Sequence, residues 1–68
     1  MTERLANHLR DARTALDLTQ AALAERVGVS RKTVNTVENG IFVPSTILAL
    51  KLAKALGQSV ESLFRLVE

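Results

Sequence analysis

The chain has no cysteine, so neither a disulfide nor a thiolate metal site is open to it. That absence suits a reducing, cytoplasmic setting. It has a single histidine, His8; with no second histidine and no thiol, no metal-ligand set can be assembled. A local helix-face contact between His8 and Asp11, three residues on, is the expected use of the imidazole. The only aromatics are two phenylalanines, and β-branched residues never alternate over the length of a strand. No apolar run approaches the roughly 20 residues of a membrane span. The opening Met1-Thr2-Glu3-Arg4 lacks the apolar core of a signal peptide. No Ser-His-Asp set, phosphate-cradling glycine loop or pocketed carboxylate pair can be drawn from the remaining residues. The expectation is a non-enzyme without metal, cofactor or membrane partner.

What is present is one domain spanning residues 1–68, near the lower size limit for independent folding. A chain this short does not readily enclose a deep substrate pocket, but it can present a helix to a groove. Net charge is +2, from nine basic and seven acidic residues. So small an excess says little about partners, and the argument turns on where the charges sit.

Helical spacing runs throughout, which predicts an all-α fold, a compact globule of five short helices rather than a parallel bundle. The first helix is predicted over about Glu3 to Leu16, on Leu5, Leu9, Ala12 and Leu16. Asp17-Leu18 makes a turn. Thr19 is an N-cap for a second helix to Val27, with Leu23, Ala24 and Val27 inward. Gly28 supplies a left-handed stop. Val29 fills the corner, and Ser30 caps a third helix to about Glu38, ended by Asn39-Gly40. After the loop Ile41 to Pro44, Ser45 caps a fourth helix to Leu56, stopped at Gly57. Ser59 caps a fifth, from Val60 to about Val67.

The second and third helices, joined by a tight turn at Gly28, have the pattern of a helix-turn-helix DNA reader. At 100° per residue, Val34 and Val37 face inward with Val29. Lys32, Asn35, Thr36 and Asn39 fall on the opposite side, with Arg31 at its edge. This outward face has two cations, two amides and a hydroxyl, and no acid. Such groups suit base edges: Arg or Lys for guanine, Asn for adenine, Thr for a polar edge or a thymine methyl.

The chain resembles the Cro/Xre family of phage and bacterial repressors over roughly residues 3 to 64. The matching residues are Arg13, Leu18-Thr19-Gln20, Leu23-Ala24, Gly28-Val29-Ser30, Thr33-Val34, Val37-Glu38-Asn39-Gly40, Pro44-Ser45 and Leu52-Ala53. The resemblance implies a lambda-repressor-like domain that binds double-stranded DNA. It implies that Gln20 bonds a phosphate and braces the neighbouring recognition side chain. Arg31, Lys32 and Thr36 would reach bases, and Asn39 with the backbone amides after it would hold the DNA backbone. With the outward face, the expected base contacts are Arg31, Lys32, Asn35 and Thr36. The expected phosphate contacts are Thr19, Gln20, Ser30, Asn39 and Gly40. Ile41 stands where family members often carry a basic residue.

Two further expectations concern the scaffold. Arg13 lies close to the first helix's apolar stripe, and Glu38 sits at a helix C-terminus, where the dipole disfavours an acid. A structural Arg13–Glu38 ion pair would answer both, and the resemblance implies the same pairing; two unrelated surface charges are the alternative. The fourth and last helices also carry more apolar groups than one small core absorbs. Ile47, Leu50, Leu66 and Val67 are therefore expected at a homodimer contact, with a near-palindromic operator. No effector domain is present, so no small-molecule ligand is expected. The competing reading is a protein-interaction module that keeps the fold without the DNA role. Antitoxin or restriction-controller duty would be a biological variant of the DNA reading.

Overall fold

The computed structural model describes residues 4–67. In chain order they form β1 (Arg4–Asn7), α1 (Leu9–Ala15), α2 (Gln20–Val27), α3 (Arg31–Glu38), α4 (Thr46–Leu56), α5 (Val60–Leu63) and β2 (Phe64–Val67). Four helices begin at the hydroxyl residues expected of them. Thr19, Ser30, Ser45 and Ser59 each accept a hydrogen bond from the backbone N–H three residues on.

The all-α expectation is corrected at both ends of the chain. Arg4 to Asn7 is a strand, not the start of α1; Glu3 lies outside the described residues. The fifth helix stops at Leu63, and Phe64 to Val67 pairs antiparallel with β1, Leu5 opposite Leu66 and Asn7 opposite Phe64. Strands of four residues are too short to show a period of two. Their pairing partner lies at the far end of the chain, so tertiary contact overrides local propensity. Leu5 stands four residues before Leu9, and that spacing fits a helix equally well. What starts α1 is Asn7, whose Oδ1 accepts from the Leu9 N–H at 3.0 Å. The preceding amide, His8 N–H, donates to the Leu63 carbonyl at 2.8 Å and ties the ribbon to α5. Leu16 leaves the predicted stripe: it follows α1 and is half exposed. Asp17 makes the turn with a left-handed backbone, φ 57°, which Asp tolerates.

The core sits between α2, α3 and α4, joined by Leu9 and Ala12 of α1, Leu63 of α5 and Phe64 of β2. Leu9, Leu23, Leu52, Leu63, Val34 and Val37 are its fully buried large side chains. Each contributes about 1.5–3 kcal/mol by leaving water. Val34 and Val37 fix the roll of α3, so that Arg31 and Lys32 are exposed on its other side.

Gly28 joins α2 to α3 at φ 75°, and the Val29 N–H returns to the Ala24 carbonyl at 3.0 Å. A Cβ at Gly28 would meet no atom within 4 Å. Gly28→Ala should therefore cost only the left-handed backbone penalty, about 1–2 kcal/mol, measured by urea unfolding. A larger loss would mean that the turn is more crowded than the structure has it.

Candidate nucleic-acid interface

Glu38 organises this side of the molecule. Its side chain is fully buried at the C-terminal end of α3. Arg13 from α1 meets it side-on, Nε to Oε2 at 2.6 Å and Nη2 to Oε1 at 3.1 Å. The third guanidinium nitrogen donates to the Leu18 carbonyl at 2.9 Å, in the turn between α1 and α2. Arg13 thus pins three elements at once. Burial alone would push the Glu38 carboxyl up; hydrogen bonds from Arg13, Gln20 and Arg10 outweigh it and hold the group below the ordinary carboxylate range. The bond to Glu38 raises the Arg13 guanidinium in turn, against the opposing effect of burial. Among the described residues no buried side-chain nitrogen or oxygen lacks a partner.

The outward groups divide into free and tethered ones. Arg31 and Lys32 are exposed in the first turn of α3, with no intramolecular ion pair among the described residues. Thr36 is half-buried, and its hydroxyl donates to the Thr33 carbonyl at 3.0 Å. Asn35 is half-buried and doubly held: its Nδ2 donates to Gln20 Oε1 at 3.4 Å, and its Oδ1 accepts from Asn39 Nδ2 at 3.2 Å. Gln20 in turn donates through Nε2 to Glu38 Oε1 at 3.0 Å. Gln20 does brace a side chain of α3, and that side chain is Asn35.

Thr19 and Ser30 are exposed at the starts of α2 and α3. Each hydroxyl oxygen accepts a cap bond, from the Ala22 and Thr33 N–H at 3.0 and 3.1 Å. The loop amides after Asn39 differ from expectation. Gly40 N–H donates to the Val37 carbonyl at 3.1 Å; Ile41 and Phe42 N–H both donate to the Thr36 carbonyl, at 2.9 and 3.2 Å. These groups close the end of α3, because its last carbonyls need donors. The Gly40 amide assigned to phosphate is therefore already committed within the chain.

Two contributors were not singled out from the sequence. Asn7 donates through Nδ2 to the Val37 and Glu38 carbonyls at 3.0 and 3.4 Å, and so holds the C-terminus of α3 to the ribbon. Arg10 reaches Glu38 Oε1 through Nε at 3.4 Å and Asn39 Oδ1 through Nη2 at 3.1 Å. Its place three residues before Arg13, on the same helix face, was the available signal.

Residues 9–63 match the helix-turn-helix family. The chain belongs to the Cro/Xre-type helix-turn-helix family. Its relatives include an HTH-type transcriptional regulator of Methanothermobacter thermautotrophicus, 49% identical over 61 residues that cover 88% of each chain. Another is YgzD of Bacillus subtilis, 41% identical, covering 94% of this chain and 97% of that one. The restriction-modification controller protein C.AhdI of Aeromonas hydrophila superposes with a TM-score of 0.75 at 41% identity, covering 79% of this chain and 82% of its own. A protein of Bacteroides fragilis, at 23% identity and TM-score 0.81, shares the fold over 90% of this chain and 98% of its own. Members of this family are DNA-binding regulators, not enzymes. Among the described residues no helix is long and apolar enough to cross a membrane.

Arg13→Ala would leave Glu38 buried without its bidentate partner, a loss of about 3–5 kcal/mol, against little for the exposed Arg4→Ala. The sign with pH follows from the depressed carboxyl: its stabilisation is full above the unfolded-state value and disappears as pH falls through the folded-state value. Thermal melts of both variants at neutral pH, and of Glu38→Gln across the acid range, check this. Equal melting temperatures for the Arg13 and Arg4 variants, or an unchanged acid limb in Glu38→Gln, would rule out a structural pair.

Proposed function

We propose that this protein is a sequence-specific transcriptional regulator that binds double-stranded DNA as a homodimer, with α3 in the major groove. The carrying observation is the first turn of α3, where Arg31 and Lys32 are exposed, with no ion pair among the described residues, on a face without an acid. Recognition helices of this motif enter the groove with that turn leading. Arg31 and Lys32 would take guanine edges, with Thr36 and Asn35 behind them. Thr19 supports the docking: it spends an oxygen lone pair on its cap and keeps its O–H proton able to donate to a phosphate, while the Ser30 hydroxyl shares a 3.0 Å hydrogen bond with that of Thr33. Gln20 and Asn39 would add side-chain donors to phosphate. The cytoplasm is the matching compartment, and control of a restriction–modification system, the role of the A. hydrophila relative, is one setting this mechanism fits.

The dimer reading rests on apolar groups left in water. Ile47 and Leu50 on α4, Leu66 on β2 and Ile41 and Val43 in the loop are each more than half exposed. Val67 is half-buried beside them. A surface groove lined by Leu5, Pro44, Ala49, Leu50, Val60 and Phe64 opens on the same side. Covering such a surface with a second copy stabilises by apolar burial, and a two-fold pair reads twice the sequence. The domain measures 36 × 21 × 19 Å, a size compatible with recognition helices about 34 Å apart on successive major-groove faces. The operator would then be a near-palindrome with half-sites about one helical turn apart.

Selection of duplexes from a random pool, repeated at several salt concentrations, tests the DNA role. Affinity should fall steeply with salt, because counterion release drives phosphate binding. Arg31→Ala and Lys32→Ala should each relax preference at one or two base pairs, by about 1–3 kcal/mol for a bidentate contact. Flat salt dependence with no selected motif would favour the protein-interaction module.

Leu66→Lys puts a charge in the apolar contact. It should shift sedimentation towards monomer at tens of micromolar, on the order of a typical weak-dimer range, and weaken operator binding while helix content holds. A chain that is monomeric without the substitution, and whose DNA affinity ignores it, would remove the dimer.

A further inference from the structure

The hydrogen bonds around Glu38 close on themselves. Glu38 Oε1 accepts from Gln20 Nε2 at 3.0 Å, and Gln20 Oε1 accepts from Asn35 Nδ2 at 3.4 Å. Asn35 Oδ1 accepts from Asn39 Nδ2 at 3.2 Å, and Asn39 Oδ1 accepts from Arg10 Nη2 at 3.1 Å. Arg10 Nε then returns to Glu38 Oε1 at 3.4 Å. Three neutral amides are strung between two charged residues, and the four bonds through them all donate in the direction from Arg10 to Glu38.

That sense is imposed from the two ends. An ionised carboxylate only accepts, and a guanidinium only donates. Glu38 must therefore face the amide nitrogen of Gln20, which turns the Gln20 oxygen towards Asn35. Asn35 must answer with its nitrogen, which turns its oxygen towards Asn39. Asn39 must do the same, and its oxygen meets Arg10. Flipping any one amide sets donor against donor on one side and acceptor against acceptor on the other. Arg13 keeps Glu38 ionised and fixed from the core side, through bonds that do not pass through Arg10.

Each of the three amide nitrogens spends one N–H on the ring and retains a second. Each amide oxygen already has a donor within the ring. The free N–H groups on this surface suit hydrogen-bond acceptors: phosphate oxygens, or the N7 and O6 atoms of purines.

We propose that Arg10 is a positioning residue for DNA recognition: by closing this ring with Glu38 it holds Gln20, Asn35 and Asn39 as outward N–H donors. This rests on the DNA-reading role of α3 argued above. Arg10 is suited to such a role because its side chain is 58% exposed while its two nitrogens are tethered. It contributes little to the core and much to the arrangement of its neighbours.

The experiment compares the intact chain with Arg10→Lys and Arg10→Gln. Lysine keeps the charge but has no fork with which to donate to Glu38 and Asn39 at once. In the free protein, the side-chain amide signals of Asn35 and Asn39 should be shifted and slow to exchange, and Arg10→Lys should move them to unconstrained values. The melting temperature should barely change. On DNA, Arg10→Lys should lower the ratio of affinities for a selected and a scrambled duplex about ten-fold, the equivalent of one ordinary hydrogen bond. Its affinity for the scrambled duplex and its salt slope should match those of the unmodified chain. Arg10→Gln should lose the same ratio and about one unit of salt slope as well. Unmoved amide signals, or loosened amides with an intact affinity ratio, overturn the proposal. Failure of the unmodified chain to bind any duplex would sink the DNA reading and Arg10's role with it, while the amide signals separately report whether the ring forms.

Discussion

The contact between Arg13 and Glu38 is the constraint on which the rest of the binding side depends. An acid at the C-terminus of a helix sits against the negative end of the helix dipole, and a fully buried one also loses its hydration. Two bonds from Arg13 offset both costs, and the third guanidinium nitrogen reaches the carbonyl of Leu18. The result couples α1, the turn before α2 and the end of α3 through one planar group. Lysine would not serve, because one ammonium cannot offer three fixed directions. The orientation of α3 is thus set by a polar lock at its end and by Val34 and Val37 along its inner side.

This division of labour lets α3 be both rigid and reactive. Its inner residues are spent on packing and its end on the lock, which leaves the first turn uncommitted. Arg31 and Lys32 are exposed there, without ion-pair partners among the described residues. Between the free turn and the locked end lies a graded zone in which Asn35, Thr36 and Asn39 are partly engaged by their neighbours. Flexible cations lead and oriented amides follow, an order that fits the family's work as DNA-binding regulators.

Much of this was legible in the sequence because the signals were local. A hydroxyl before an apolar period marks a helix start, and Thr19, Ser30, Ser45 and Ser59 all do so. A glycine after the last inward residue marks an end, as at Gly28 and Gly57. The inward set Leu23, Ala24, Val27, Val34 and Val37 follows from helical spacing alone. The ribbon was not legible, since each strand has four residues and its partner is remote in sequence. Nor were Asn7 and Arg10, whose roles exist only once α1 lies beside the end of α3. The bond of the Gly40 amide to the Val37 carbonyl was not legible either, since it depends on how the end of α3 closes.

The pairing of Arg4 with Val67 has a topological consequence. The two ends of the described chain lie side by side across one ribbon, so the fold is nearly a closed loop. A short bridge between them would cost little chain entropy. New ends could then be opened in the exposed stretch from Ile41 to Val43 without cutting a helix.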